Sequence, residues 1–134
     1  LWLARDNSDA GQLWASRSED AGDSWSALAR AGLPNPFSGL DAIRLRDGRV
    51  LLAFNDTRDN RSNLRLAVSP DAGATWQRLN PLLEEESGQE FSYPFLLQSS
   101  DGLIHLVYTW KRKGIRHVSF NSAWLDTQLG GQGP

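Results

Sequence analysis

The sequence predicts an all-β protein assembled from repeating four-stranded units, and three observations carry that expectation. An eight-residue pattern occurs twice, as Ser18-Glu19-Asp20-Ala21-Gly22-Asp23-Ser24-Trp25 and as Ser69-Pro70-Asp71-Ala72-Gly73-Ala74-Thr75-Trp76; both copies read S-x-D-x-G-x-[ST]-W and lie 51 residues apart. Two Asp-Gly dipeptides, Asp47-Gly48 and Asp101-Gly102, recur 54 residues apart, each between apolar runs. Asp-Gly in that setting is a hairpin signal, because a type I′ turn needs positive φ at both central residues. Finally, short alternating or apolar runs dominate, and no long stretch shows helical apolar spacing. A period of about 50 residues containing several short strands is the signature of a β-propeller.

Each element follows in chain order. Residues 1–4 and 12–16 read as strands and lead into the first eight-residue turn. There Asp20 folds its carboxylate onto nearby backbone N–H groups, Gly22 supplies positive φ, and Trp25 returns an apolar face to the core. Residues 41–46 pair with 49–55 across Asp47-Gly48. A third strand covers 63–68, and Ser69, Asp71, Gly73 and Trp76 repeat the turn before a fourth strand at 76–79. A last unit pairs 95–98 with 103–108, continues through 115–120, and carries a reduced turn at Asn121-Ser122-Ala123-Trp124. The expectation is a partial propeller over residues 1–126, with a partial blade at 1–28, a full blade at 38–80 and a last blade at 90–126. That is about two and a half blades of a ring that is six-bladed when complete. Residues 127–134, Gly-rich and polar, are expected to be a disordered tail.

Composition narrows the function classes. The chain has 134 residues, 40% of them hydrophobic, which suffices for a sizeable core. A formal charge of -2 offers no general attraction to nucleic acid or to an anionic membrane. No apolar run approaches membrane-spanning length, so no membrane insertion is expected. There is no Cys, and two histidines without carboxylates at ligand spacing make no case for a metal. The chain carries no targeting signal; for the complete protein the reading leans to a bacterial periplasmic or secreted location. Leu1-Trp2-Leu3-Ala4 reads like the inside of a strand, so the chain is expected to be a piece of a longer protein.

The chain resembles the sialidase (neuraminidase) superfamily, whose S-x-D-x-G-x-T-W element is called the Asp-box or BNR repeat. In particular, it resembles the bacterial predicted-neuraminidase branch, through residues Asn35-Pro36-Phe37-Ser38-Gly39-Leu40-Asp41-Ala42, Glu90-Phe91-Ser92-Tyr93-Pro94 and Tyr108-Thr109-Trp110-Lys111-Arg112. The Asp-boxes lie on the outer rim and imply architecture only. The resemblance implies three arginines on the substrate carboxylate, a Tyr nucleophile activated by a Glu, and an Asp acid/base. Arg5, in Leu3-Ala4-Arg5-Asp6, matches the second arginine and Arg61 the third. Tyr93, 32 residues after Arg61, matches the nucleophile, with Tyr108 the reserve candidate for that role and a candidate substrate contact. The first arginine, the Asp and the Glu are expected upstream of Leu1, so this chain alone is expected to be inactive.

These residue types suit the chemistry. A guanidinium grips a planar carboxylate with two parallel hydrogen bonds and stays charged, which Lys cannot match. A neutral phenol attacks beside an anionic carboxylate where an ionised Asp or Glu would be repelled. Asp41, opening the inner strand of the full blade, is a further candidate contact, since strand ends there face the axial cavity.

The leading reading is therefore part of a retaining, sialidase-like exo-glycosidase acting on a glycan ending in sialic acid or a related acidic sugar, with no cofactor and no metal. Two alternatives stand beside it: a propeller polysaccharide lyase using Tyr108 and His117 on uronates, and a non-catalytic carbohydrate-binding propeller. Exposed blade edges also raise the expectation of self-association.

Overall fold

A computed structural model of the chain describes residues 1–7 and 10–130. The strands are β1 (Trp2–Arg5), β2 (Gln12–Ser16), β3 (Ala29–Pro34), β4 (Asp41–Arg44), β5 (Val50–Phe54), β6 (Asn63–Ser69), β7 (Gln77–Arg78), β8 (Glu84–Glu85), β9 (Phe91–Gln98), β10 (Ile104–Trp110) and β11 (Gly114–Phe120). They form three antiparallel sheets in sequence order: β1-β2-β3, then β4-β5-β6-β7 with β8 also on β6, then β9-β10-β11. Both Asp-Gly hairpins are present. Asp41 pairs with Ala53 and Arg44 with Val50 around the first, and Gln98 pairs with Ile104 around the second.

The middle sheet is covered on both faces, which explains its unbroken apolar run from Val50 to Phe54. Leu51 and Ala53, with Leu64, Leu66 and Val68, face Phe91, Leu96, Ile104, Leu106 and Tyr108 of the last sheet. Leu52, Phe54 and Ala67 face the other way, onto Leu13 and Leu33 of the first sheet. The period of two along β5 and β6 thus serves two cores at once. The last sheet has no such cover on its far side among the described residues: Phe95, Leu97 and Ile115 are more than half exposed.

The two eight-residue turns are built alike. In the second, Ser69 Oγ accepts the Gly73 N–H (2.7 Å), Asp71 Oδ1 accepts the Thr75 N–H (2.8 Å), and Asp71 Oδ2 accepts the Thr75 hydroxyl (2.7 Å). In the first, Ser18 accepts from Gly22, and Asp20 accepts from both the N–H and the hydroxyl of Ser24. Positive φ falls on two successive residues of each turn, Ala21 and Gly22, then Ala72 and Gly73. Gly73 has a second constraint, since a Cβ there would lie 2.5 Å from Leu1 Cδ2.

These bonds hold both aspartates down to about 2, led by the side-chain hydrogen bonds from Ser24 and Thr75. Because the folded values lie below the ordinary 3.8, the turns' contribution to stability is present above roughly pH 4. It is lost as pH falls through about 2. An NMR titration of the side-chain carboxyl carbons should therefore give both midpoints near 2. Midpoints near the ordinary carboxylate value would show that these bonds do not hold in solution.

Three expectations need correction. Trp25 is 51% exposed, its Nε1 donating to the Gly22 carbonyl at 3.1 Å, rather than returning to the core. It lines an open hollow together with Trp2, Ser16 and Leu28. The strand after it begins at Ala29 and runs to Pro34, past the expected end of the first unit at residue 28. At the C-terminus an α-helix, α1 (Ser122–Gly130), replaces the reduced turn and the first residues of the expected tail. Asn121 Oδ1 accepts the Trp124 N–H at 2.9 Å and caps it, while Leu125, Trp124 and Leu129 pack on the core. Residues 131–134 of the expected tail lie outside the described residues.

Candidate functional site

The loop between β3 and β4 organises the site. Asn35 is fully buried and folds the loop on itself: its Nδ2 donates to the Ser38 carbonyl (3.2 Å) and its Oδ1 accepts the Ser38 N–H (3.0 Å). This closed turn holds Phe37 at φ +56°. Its ring and carbonyl then meet two arginines. The Arg5 guanidinium, at the end of β1, lies 4.5 Å from the Phe37 ring centroid. Arg61, just before β6, donates from Nη2 to the Phe37 carbonyl at 3.3 Å.

Arg61 also reaches the last sheet. Its guanidinium carbon lies 5.5 Å from the Tyr93 ring centroid, and its Nη1 lies 3.5 Å from Glu90 Oε1. Tyr93 sits in a bulge of β9. Ser92 pairs with Thr109 and Phe95 with Val107, so Tyr93 and Pro94 together oppose Tyr108 alone. Bulges re-aim side chains in this way. Tyr93 has φ +52°, a conformation costly for a residue with a Cβ. Its ring is 59% exposed. Gly39 backs it so closely that an added Cβ would lie 3.1 Å from Tyr93 Cδ1.

Glu90 ties the pieces together. It accepts from the Ser92 hydroxyl (2.8 Å) and from Arg112 Nε (2.7 Å), besides facing Arg61. Burial disfavours its charge, but Ser92, Arg112 and Arg61 outweigh that and hold its carboxyl below the ordinary range. Arg112 stands at the tip of the β10–β11 hairpin. An open hollow beside it is lined by Glu90, Tyr93, Thr109, Arg112, Lys113 and Ile115.

Arg5, Arg61 and Tyr93 thus converge through Phe37 on one rim of the sheets. The other two candidates do not join them. Asp41 Oδ2 accepts the Leu96 N–H (2.7 Å) and its Oδ1 the Ala42 N–H (3.0 Å), so its carboxylate fastens β4 to β9. Tyr108 is buried in the core and donates its hydroxyl to Glu84 Oε1 at 2.6 Å. Burial and then Glu84 push its hydroxyl well above the ordinary phenol value, which keeps it protonated. Arg116 pairs with the same Glu84, and Arg116 and Lys111 both lie over the Trp110 ring. His117 pairs with Val107 on the open face of the last sheet, whereas Tyr108 faces the core.

Sequence reasoning missed Phe37 and Gly39 as parts of this cluster. Asn35-Pro36 followed by Gly39 is a turn signal that the sequence does carry. Among the described residues no group of three or more metal-ligating side chains comes together.

Three sheets stacked in sequence order, each an antiparallel meander, with charged residues gathered at one rim, define a sector of a β-propeller. The chain belongs to the BNR repeat-like domain family, whose sequence model matches residues 1–106. Its fold is similar to that of the intramolecular trans-sialidase of Ruminococcus gnavus, solved with oseltamivir carboxylate (TM-score 0.68, 18% identity, 90% of this chain and 29% of that one). It is also similar to the leech intramolecular trans-sialidase complexed with 2,7-anhydro-Neu5Ac (0.69, 17%, 93% and 22%). A third similar fold is that of the Penicillium chrysogenum α-L-arabinanase complexed with arabinobiose (0.60, 22%, 84% and 38%). The chain therefore spans less than two fifths of each of these structures. No curated protein sequence matches it.

Proposed function

We propose that this chain is the part of a sialidase-like exo-glycosidase that binds the carboxylate of a terminal sialic acid or related acidic sugar and supplies the nucleophile. The observation that carries this reading is the gathering of Arg5, Arg61 and Tyr93 around the 35–39 loop. Arg5 and Arg61 grip the carboxylate, and Tyr93 attacks the anomeric carbon as the glycosidic bond breaks. Its phenolic proton passes to the Glu and the aglycone leaves with a proton from the acid/base Asp, both expected in the complete protein outside this chain. Water then displaces Tyr93 from the tyrosyl-glycosyl intermediate with overall retention. Glu90 is a positioning residue here. It faces the Arg61 guanidinium and, through Arg112, ties the hairpin tip to the same rim.

The eight-residue turns are Asp-boxes in this reading and stay outside the chemistry. The sheets correspond to about two and a half blades, and the apolar far face of the last sheet is a surface for association with further blades or another copy. The lyase reading loses its support, because Tyr108 and His117 lie on opposite faces of the last sheet. Incubating the complete protein with a fluorogenic α-sialoside tests the proposal: hydrolysis is expected. Unsaturated uronate from an acidic polysaccharide, with no sialoside turnover, would replace it with the lyase.

A further inference from the structure

Phe37 is an expensive residue for the place it holds. Its φ of +56° is left-handed, a conformation that crowds a bulky side chain and that a turn obtains more cheaply from glycine or asparagine. The surrounding loop nevertheless enforces it. Asn35, fully buried, bonds both backbone groups of Ser38 from its side chain, and its own N–H donates to the Gly11 carbonyl at 3.0 Å. Gly11 lies in the connection from β1 to β2, so the segment that carries Phe37 is tied to the one that leads away from Arg5.

The ring does not fill the core. It is 43% exposed, and the apolar packing of this connection falls to Leu33 and Leu40 on either side. Strain kept where a cheaper residue would make the same turn points to what that residue touches. The ring touches Arg5, whose guanidinium carbon lies 4.5 Å from the centroid, and the carbonyl accepts from Arg61 Nη2 at 3.3 Å. These two arginines come from different sheets, and their like charges repel. Phe37 offers each a different attraction: a π face to one and a carbonyl oxygen to the other.

We infer that Phe37 is a positioning residue that sets the separation and orientation of the Arg5 and Arg61 guanidiniums, and so fits the rim to the planar carboxylate of a sugar acid. For its ligand the inference rests on the glycosidase reading above. The two arginines depend on Phe37 unequally. Arg61 also faces Glu90 and the Tyr93 ring, so loss of the Phe37 ring leaves it in place while Arg5 loses the face it lies on. A carboxylate is held in the ground state and the transition state alike, so the loss falls on KM rather than on kcat.

The test compares the complete protein with its F37G and F37Y variants on a fluorogenic α-sialoside, with N-acetylneuraminic acid and its methyl ester as competing inhibitors. F37G is expected to raise KM about tenfold with a much smaller change in kcat, and to narrow the parent's preference for acid over ester. F37Y keeps the aromatic face and should restore both. Because glycine relieves the left-handed strain, the melting temperature of F37G should fall by no more than about 2 °C. The inference is overturned if F37G keeps the parent's KM and preference, if it loses acid and ester in equal measure, if its melting temperature falls together with binding, or if F37Y behaves like F37G. A parent that neither hydrolyses the sialoside nor prefers the acid overturns the glycosidase reading, and the inference with it.

Discussion

Replacing Tyr93 by phenylalanine in the complete protein is expected to lower kcat/KM on a fluorogenic sialoside by about 10³-fold or more, because under the proposed mechanism it removes the atom that forms the covalent bond. The ring remains. Phenylalanine retains the face that Arg61 approaches and the contact with Gly39, so the melting temperature should hardly move. Arg61→Lys should behave differently. It keeps the charge but loses the fork, at a cost of about 1.5–3 kcal/mol for a charged hydrogen bond, or roughly 10- to 100-fold in substrate affinity. A Tyr93→Phe variant with undiminished turnover would remove Tyr93 from the chemistry and with it the proposed mechanism.

The largest effect on stability is expected from Asn55→Ala. Asn55 is fully buried at the end of β5, and its Nδ2 donates both to the Asn63 carbonyl and to the Phe91 carbonyl, the latter at 2.7 Å. One side chain thereby joins the middle sheet to the first residue of β9. Truncation leaves two carbonyls without that donor inside the protein, which costs about 2–4 kcal/mol. In a chain of this size that corresponds to a fall of roughly 10 °C in melting temperature, read by circular dichroism. Because Phe91 starts the strand that bears Tyr93, the bulge should loosen as well. A melting temperature within a degree or two of the parent would mean that water replaces the amide at no cost.

Much of the fold was legible because its signals are local. Ser69, Asp71, Gly73 and Thr75 satisfy one another within seven residues, as do Ser18, Asp20, Gly22 and Ser24. The hairpins at Asp47-Gly48 and Asp101-Gly102 follow from the φ that such turns require. The helix at Ser122–Gly130 was not legible. It has no apolar stripe of helical period, and it rests instead on the Asn121 cap and on Leu125 filling the core beside the middle and last sheets.

The site divides in the same way. The family resemblance singled out Arg5, Arg61 and Tyr93, which the fold brings to one rim, whereas Asp41, read as facing the axial cavity, turns its carboxylate onto the Leu96 N–H. Glu90 stood in the sequence only as part of the Glu90-Phe91-Ser92-Tyr93-Pro94 motif until the fold set it between Arg61 and Arg112.

By itself, the sequence determined the all-β class, the repeating unit and the two turn structures, because each rests on hydrogen bonds and dihedral preferences among residues a few positions apart. Only the tertiary structure decided which polar groups meet. Arg61 reaches a carbonyl 24 residues back, and Glu90 a guanidinium 22 residues ahead. Such partners are selected by how three twisted sheets stack, and no spacing rule along the chain encodes that.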